Sequence, residues 1–337
     1  MKDYKYVLVN GYTSTGSSAV IDLLKEYRNV AAPDKEFRII KDPHGIYDLD
    51  KSLNQSTDLL NEDIAAREFL WLVHKYGMIA GKFRPTCLSY NKDFGNSFEE
   101  LSKNYIQELM SCEYKGHWWY LNLDKSTMAC VWQKILKKLN IFDYRKVSKM
   151  RLFLKNEDEF LRITQKYINE IFNFMNIDDS IDTIVLDQAI PATHSGLARR
   201  YFHHYKVINI ERDPRAVYFD LITEEKRNGD IVGHVGFDIA TTHNVDLFIQ
   251  WFKKCRNKGP QGDELNINFE DIILNYESTV KTIEEYIALD CTNHIQPLRY
   301  LKPEVSRKNV RYWDGYEHQN EIKQIEKALP EYLYPGL

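Results

Sequence analysis

The sequence predicts an α/β protein built on a central parallel sheet, with flanking helices, a phosphate-binding turn and a large helical insertion. Two observations support this prediction. Short apolar, β-branched runs bounded by turn residues alternate with segments of helical periodicity, as in buried parallel sheets. The first run continues into a loop of Gly, Ser and Thr and then into a helix, in the segment YKYVLVNGYTSTGSSAVIDLLKEY. We expect a single domain over residues 1–337.

The composition indicates a globular protein and argues against several kinds of binding site. Charged residues make up 28% of the chain and hydrophobic residues 43%, as in ordinary globular domains. A formal net charge of −4 argues against broad binding of nucleic acid, so any site for a polyanion must be a local basic pocket. The five cysteines are widely spaced and form no CxxC pair, which argues against a disulfide framework and against a zinc site.

The same features predict the compartment. No apolar run approaches the roughly 18 residues that a membrane-spanning helix needs. The N-terminal segment MKDYKYVLVN has too short an apolar run for a signal peptide. Together with reduced cysteines, this predicts a cytoplasmic protein without a transmembrane segment. No feature of the sequence determines the oligomeric state.

Five runs predict the strands of the sheet. Each is apolar and rich in β-branched residues, with turn residues on either side. The runs cover residues 4–9, 37–40, 182–186, 206–210 and 265–269. After the first loop, four residues spaced i, i+3, i+4 and i+7 predict one buried face of a helix: Val20, Leu23, Leu24 and Tyr27. Near the C-terminus, FEDIILNYESTVKTIEEYIAL predicts a strand end, a turn and a helix.

Residues 56–176, approximately, have mostly helical periodicity and predict the helical insertion, with PTCLSYNKDFGNS as a loop inside it. Its clearest helix has apolar residues spaced by three and four: Phe160, Ile163, Tyr167, Ile171 and Phe174. The segment KGHWWYLN places three aromatic residues beside His117, namely Trp118, Trp119 and Tyr120. Such a cluster is either part of the core or a platform on which the sugar rings of an acceptor stack.

The loop after the first strand has the spacing of a phosphate-binding loop. Gly11 and Gly16 are five residues apart, and Ser17 and Ser18 follow, as in GxxxxGK[ST] with Ser17 in place of Lys. The missing Lys argues against ordinary ATP hydrolysis. The alternative is a plain Gly/Ser turn before a helix. The strand, turn and helix together favour a P-loop-like turn that binds phosphate.

Two later segments carry positive charge. In KVINIERDPRAVYFDLI, Arg212 and Arg215 follow a strand, where ligands of open α/β sheets bind and where Pro214 can begin a helix. Guanidinium groups suit phosphate oxygens, although a surface Arg–Asp pair is the alternative. In PEVSRKNVRYWDGY, Arg307 and Lys308 lie in a basic loop, which by itself is typical of a solvated face.

The ordered set of these segments resembles the sulfotransferases that use 3′-phosphoadenosine 5′-phosphosulfate, and in particular the carbohydrate sulfotransferases. STGSSAVIDLL is similar to their 5′-phosphosulfate loop, IERDPRAVYFD to their 3′-phosphate strand and helix, and SRKNVRYW to their basic closing loop. The resemblance spans residues 4–40 and 182–315. It implies a nucleotide site formed by Thr13, Ser14, Thr15, Gly16, Ser17, Ser18, Arg212, Asp220, Arg307, Lys308 and Asn309.

Two positions depart from the family pattern. Ser14 stands where the family usually has a Lys or Arg, and Asp220 stands where it commonly has a Ser that binds the 3′-phosphate. A carboxylate there repels phosphate unless a neighbouring Arg turns it away. Positive charge is then expected mainly from Arg212, Arg307 and Lys308, with Lys41 or Arg38 as substitutes near the sulfuryl group.

The general base has two candidates. NVAAPDKEFRIIKDP is similar to the family segment in which a Glu accepts the proton of the acceptor hydroxyl, which implies Glu36. A surface Glu at the start of a strand is the alternative reading. His194, in DQAIPATHSG, is the rival base. Asp187, after TIVL, imitates the Walker B carboxylate of a kinase or is simply a strand-end Asp.

The resemblance implies transfer of a sulfuryl group from 3′-phosphoadenosine 5′-phosphosulfate to a hydroxyl acceptor, with a carbohydrate as the expected acceptor. The nucleotide product is adenosine 3′,5′-bisphosphate, and the chemistry requires no metal. Two alternatives remain open from the sequence. One is a P-loop kinase-like phosphotransferase, and the other is a nucleotide-binding relative that has lost activity.

Overall fold

The computed structural model describes residues 2–56, 58–78, 88–95, 97–116, 118–123, 125–139, 148–175, 177–228, 244–259 and 261–337. Cys87 and His117 lie outside the described residues. The chain divides into two compact units. The first comprises Met1–Ile40 and Met175–Leu337, and the second comprises Lys41–Phe174.

The described residues form seven strands: β1 Lys5–Gly11, β2 Val30–Ala31, β3 Cys112–Gly116, β4 Ser148–Leu152, β5 Thr183–Asp187, β6 Tyr205–Glu211 and β7 Glu264–Asn268. Five of them make the central sheet of the first unit, in the order β2-β5-β1-β6-β7. All neighbours are parallel. In the centre, Val7 of β1 is opposite Val185 on one side and Lys206 on the other. The predicted α/β class with a central parallel sheet is confirmed.

Four of the five predicted strands are present, and the fifth prediction was wrong. Residues 38–40 form a turn, and Phe37 before it is not in a strand either. The edge strand β2 at Val30–Ala31 pairs with β5 instead. Phe37, Ile39 and Ile40 are fully buried all the same. Their apolar character reflects packing beneath the turn, and in so short a run it cannot be distinguished from the pattern of a buried strand.

Helices cover the sheet of the first unit. Their bounds are Ser18–Leu24, Ala198–Tyr201, Pro214–Asn228, Val245–Cys255, Phe269–Leu274, Tyr276–Ile287, Pro303–Ser306 and Gln319–Ala328. The helix after the first loop ends at Leu24, earlier than the periodicity predicts, although Tyr27 is still buried. Its apolar face packs in one core cluster with Val7, Val9 and Ile208 of the sheet. The segment predicted as a strand end, a turn and a helix is instead two successive helices after β7.

The second unit is mostly helical. Its helices are Ile46–Asp50, which continues as a π-helical turn at Lys51–Gln55, and Leu59–Gly77, Tyr90–Asp93, Phe98–Leu109, Thr127–Lys138 and Glu157–Asn173. The last is the helix that the spacing of Phe160 to Phe174 predicts, and a capping box between Asn156 and Glu159 begins it. Strands β3 and β4 pair antiparallel in this unit, which the helical periodicity did not predict.

The aromatic segment of the second unit is partly open to solvent. The rings of Trp118 and Tyr120 stack with centroids 4.8 Å apart. Trp119 and Tyr120 are both exposed, so this cluster is a surface feature rather than core. Within the described ranges, no helix combines the length and hydropathy that a membrane crossing needs.

Candidate functional site

The connections of the first unit create a crevice at one edge of the sheet. From β1 the chain proceeds to β2 on one side, whereas from β6 it proceeds to β7 on the other. β1 and β6 are neighbours, with Gly11 opposite Ile210 near their carboxyl ends. Open α/β sheets bind ligands outside the carboxyl ends of strands at such a reversal. The loop after β1 and the segment after β6 therefore lie where a ligand is expected.

The loop after β1 has a conformation that only certain residues adopt. Ser14 and Gly16 have φ angles of 58° and 81°, in the left-handed region. A Cβ atom on Gly16 would lie 2.7 Å from the ring of Phe269. Both the backbone angle and the close ring require glycine there. The hydroxyl of Thr15 is buried and donates a 3.0 Å hydrogen bond to the carbonyl of Tyr12, which holds the loop closed.

The same loop presents backbone donors. In the part of the chain that the structure describes, the N–H groups of Ser14, Gly16 and Ser17 donate to no backbone carbonyl. The carbonyl groups of Gly16 and Ser17, in contrast, accept from the first turn of the following helix. Successive backbone N–H groups in a turn with left-handed residues are a common binding site for an anion. Because no Lys or Arg lies between Lys5 and Lys25, the loop itself supplies no cation.

Arg212 links this loop to the C-terminal segment. Its guanidinium donates to the carbonyl oxygens of Ser14 at 2.9 Å and Asn309 at 3.2 Å. It also pairs with the carboxylate of Asp220 at 2.8 Å and donates to the hydroxyl of Tyr312 at 3.3 Å. The side chain is only 5% exposed. The predicted residues Ser14, Arg212, Asp220 and Asn309 are therefore brought together.

A cavity of about 520 Å³ opens between these segments, within the size range of ligand sites. Part of its wall is aromatic, from Phe219, Phe269, Tyr300 and Tyr312. Hydroxyl and amide groups come from Ser18, Thr223, Ser306 and Asn309. Its charged lining residues are Asp22, Asp220, Arg212 and Lys302. Flat aromatic faces beside polar groups suit a base and a sugar.

A buried carboxylate organises one wall of this cavity. Glu26, whose side chain is fully buried, accepts backbone N–H bonds from Tyr300 at 2.9 Å and Leu301 at 3.1 Å through one oxygen. Its other oxygen accepts from the N–H of Leu298 at 3.1 Å and lies 2.8 Å from Nε2 of His294. Sequence reasoning missed Glu26, because the four groups it holds lie more than 260 residues further along the chain.

The predicted basic loop contributes differently from what the sequence implied. Arg307 and Lys308 are exposed and do not line the cavity, whereas Asn309 does. Lys302 lines it instead, and sequence reasoning missed this residue. The available signal was its place just before Pro303, at the start of the same basic segment.

Glu36 lies beside the end of β5. The N–H of Phe37 donates to the carbonyl of Asp187 at 3.0 Å, and Glu36 pairs with Arg38 at 2.7 Å. Gln188, which follows Asp187, reaches back to the loop: its side-chain amide is 3.3 Å from the carbonyl of Gly11. These contacts connect the segment that bears Glu36, through Asp187 and Gln188, to the loop after β1. Lys41, the other cation considered, is the first residue of the second unit.

His194 lies in a 3₁₀ turn after β5 at Ala192–Leu197. Its Nδ1 is 3.1 Å from the hydroxyl of Thr193. A Cβ atom on Gly259 would lie 2.3 Å from its Nε2, so the imidazole packs directly against that backbone. This contact covers one ring nitrogen of the rival base.

The guanidinium of Arg215 binds other residues of the protein and has a structural role. Both oxygens of the buried Asp213 accept hydrogen bonds from its guanidinium, at 2.9 and 2.7 Å. Arg215 also pairs with Glu326 at 2.9 Å and stacks over the ring of Trp313. The Arg–Asp pair that the sequence offered as a surface feature is therefore buried and fastens the C-terminal helix.

Glu270 is a buried carboxyl next to the same segment. It accepts the N–H of Asp213 at 3.1 Å and has no exposed surface. Burial raises the pKa of Glu270 from 4.5 to about 7, although this hydrogen bond and the Arg212 guanidinium act in the opposite direction.

Comparison with known proteins gives matches only at the level of structure. No model of a protein family matches this chain, and no curated protein matches it. The sulfotransferase domain of an olefin synthase from Synechococcus is similar, with 9% identity and a TM-score of 0.40, covering 99% of this chain and 98% of that domain. The sulfotransferase domain of the curacin biosynthetic pathway is 11% identical with a TM-score of 0.41, covering 98% and 99%.

A sulfotransferase from Mycobacterium avium is also similar, with 11% identity and a TM-score of 0.30. That match covers 98% of this chain and 76% of the other.

We expect Gly16→Ala to destabilise the protein by about 1–3 kcal/mol, because a side chain at positive φ is strained and would collide with Phe269. Urea unfolding measures this change. Gly315→Ala is the matched control, since no atom lies within 4 Å of a Cβ atom at that position. Equal losses in the two variants would show that the loop does not require glycine.

Stability should depend on pH through Glu270. Its pKa is raised in the folded state, so the folded protein holds a proton that the unfolded chain releases. The free energy of unfolding should therefore fall as the pH rises from about 4.5 to about 7, by up to about 3 kcal/mol. Urea unfolding at several pH values should show this slope, and Glu270→Gln should flatten it. The exposed Glu277→Gln serves as a control, and an unchanged slope in Glu270→Gln would contradict the assignment.

Proposed function

We propose that this chain is a sulfotransferase that moves a sulfuryl group from 3′-phosphoadenosine 5′-phosphosulfate to the hydroxyl of an acceptor, with a carbohydrate as the acceptor class. The observation that carries the proposal is the loop after β1. Three of its N–H groups have no backbone acceptor, and one of the three residues, Gly16, lines an aromatic, polar cavity at the reversal of the sheet. The N–H groups would bind the 5′-phosphosulfate, and the cavity would accept the nucleoside.

Each predicted residue has a role in this proposal. Residues Thr13 to Ser18 bind the 5′-phosphosulfate. Arg212 and Asn309, with Asp220 beside them, face the 3′ side of the ribose. Arg307 and Lys308 precede Asn309 in one turn, and they add positive potential for the 3′-phosphate from the solvent side. The arrangement supports these roles because Arg212 contacts both the loop and the basic segment.

The reaction needs one bond to form while another breaks. The acceptor oxygen attacks sulfur, and the bond from sulfur to the 5′-phosphate oxygen breaks with its electron pair left on that oxygen. N–H groups of the loop stabilise the charge that develops on the leaving phosphate, and a base takes the proton of the hydroxyl. We assign the base to Glu36, whose neighbour Phe37 is hydrogen-bonded at the end of β5. No step requires a metal.

Two observations favour a second candidate, a relative that binds nucleotide without turnover. The loop contains no cation for the leaving group, and the guanidinium of Arg212 is already paired with the carboxylate of Asp220. A third candidate is a kinase-like phosphotransferase, in which Asp187 at the end of β5 would hold Mg²⁺. We place the reaction in the cytoplasm, on the grounds of composition and cysteine spacing.

Transfer assays separate the three candidates. The purified chain is incubated with 3′-phosphoadenosine 5′-phosphosulfate and a panel of sugars and other hydroxyl compounds, in the presence of EDTA. Formation of adenosine 3′,5′-bisphosphate that depends on the acceptor supports the proposal. Nucleotide binding without turnover supports the inactive relative, and transfer from ATP that requires Mg²⁺ supports the kinase.

Glu36→Gln should lower the rate of sulfate transfer by roughly 10²–10⁴-fold while leaving the nucleotide Kd nearly unchanged, because the amide cannot accept a proton. His194→Ala is the comparison, and its rate should stay within a few-fold of the wild type. Steady-state kinetics and calorimetry on both variants give the two quantities. A large loss in His194→Ala with near-normal turnover in Glu36→Gln would make the histidine the base.

A further inference from the structure

Asp220 lies in the cavity wall beside Arg212. Without this carboxylate, a ligand in the cavity would contact the positive charge of Arg212. Its carboxylate accepts a hydrogen bond from Nη1 of Arg212 at 2.8 Å, and its side chain is 28% exposed while that of Arg212 is 5% exposed. A molecule in the cavity therefore reaches the carboxylate more readily than the guanidinium. Arg212, which the sequence predicts as a phosphate ligand, is therefore shielded from the cavity by the carboxylate of Asp220.

The terminal N–H donors of Arg212 already have partners within the protein. A guanidinium has four terminal N–H donors and one on Nε. The four terminal donors match four partners, two on each nitrogen: Ser14 O and Asp220 Oδ2 on Nη1, and Asn309 O and Tyr312 Oη on Nη2. The remaining donor, on Nε, is buried and has no hydrogen-bond partner, so a ligand in the cavity does not reach it. A phosphate can bind Arg212 only by displacing a partner, and Asp220 is the partner whose side chain can turn away.

The charged side chains that line the cavity have no net positive charge that would attract a phosphate. Arg212 and Lys302 supply two positive charges, and Asp22 and Asp220 supply two negative charges. A ribose hydroxyl can donate to Asp220 while the pair with Arg212 stays intact, which is how carboxylates select a free hydroxyl at nucleotide sites. A phosphate on that oxygen meets the carboxylate as a like charge.

We infer that Asp220 competes with the 3′-phosphate of the nucleotide for Arg212, so that the site discriminates only weakly between a 3′-phosphate and a 3′-hydroxyl. Asp220 is thus a specificity-determining residue of the nucleotide site. The inference rests on the proposed function, since it assumes that an adenosine nucleotide occupies this cavity. It extends that function by admitting nucleotides that lack the 3′-phosphate.

Calorimetry with adenosine 3′,5′-bisphosphate and adenosine 5′-monophosphate tests the inference. The wild-type chain should prefer the bisphosphate by less than about tenfold in Kd. Asp220→Asn keeps the size of the side chain and removes its charge, so affinity for the bisphosphate should rise by roughly tenfold or more, with little change for the monophosphate. Asp220→Ser is a second variant in case the amide substitution impairs folding.

Asp22→Asn is the matched control, because it removes the same charge from the same cavity without freeing Arg212. Its gain in bisphosphate affinity should be much smaller than that of Asp220→Asn. Equal gains would overturn the inference, as would a wild-type preference for the bisphosphate of about 100-fold or more that Asp220→Asn leaves unchanged. In the latter case the proposed function would stand. Absence of binding by both nucleotides in every variant would overturn the proposed function as well.

Discussion

The candidate site depends on the hydrogen bonds that the guanidinium of Arg212 donates. This group joins the carbonyl of Ser14, in the loop after β1, to the carbonyl of Asn309, about a hundred residues beyond the end of β6. Its face also lies 4.7 Å from the centre of the Phe269 ring, the same ring that excludes a side chain at Gly16. One buried cation therefore holds three segments that have no backbone hydrogen-bond ladder between them.

Buried carboxylates complete this arrangement. Glu26 gathers the N–H groups of the segment that bears Tyr300 and Lys302, and Asp213 holds Arg215 and the C-terminal helix. In each case a charge is buried only because several donors converge on it, which is the condition for burying a carboxylate at tolerable cost. Burial raises the pKa of Glu270, and the few donors that it has do not offset this effect. Around the cavity, the charges of Arg212, Glu26 and Asp213 are thus already paired within the protein.

The sequence predicted what is encoded locally. Strands β1, β5, β6 and β7 and the glycine-dependent loop were all predicted, because each depends on neighbouring residues and on periodicity. The turn at residues 38–40 was not, since burial alone gives the same apolar pattern as a strand. Lys302 and Glu26 were missed because their roles come from contacts between residues far apart in the chain. The sequence marked Asp220 as a departure, but it did not show that the carboxylate pairs with Arg212, eight residues earlier.

The central claim is that the N–H groups of the loop after β1 hold the anionic end of a nucleotide. Hydrogen exchange at Ser14, Gly16 and Ser17, with and without saturating adenosine 3′,5′-bisphosphate, tests it most directly, with the amides of β1 as a slow internal reference. We expect fast exchange in the free protein and slowing by roughly tenfold or more when the nucleotide binds. Calorimetric binding of the nucleotide with unchanged exchange at these three amides would contradict the account.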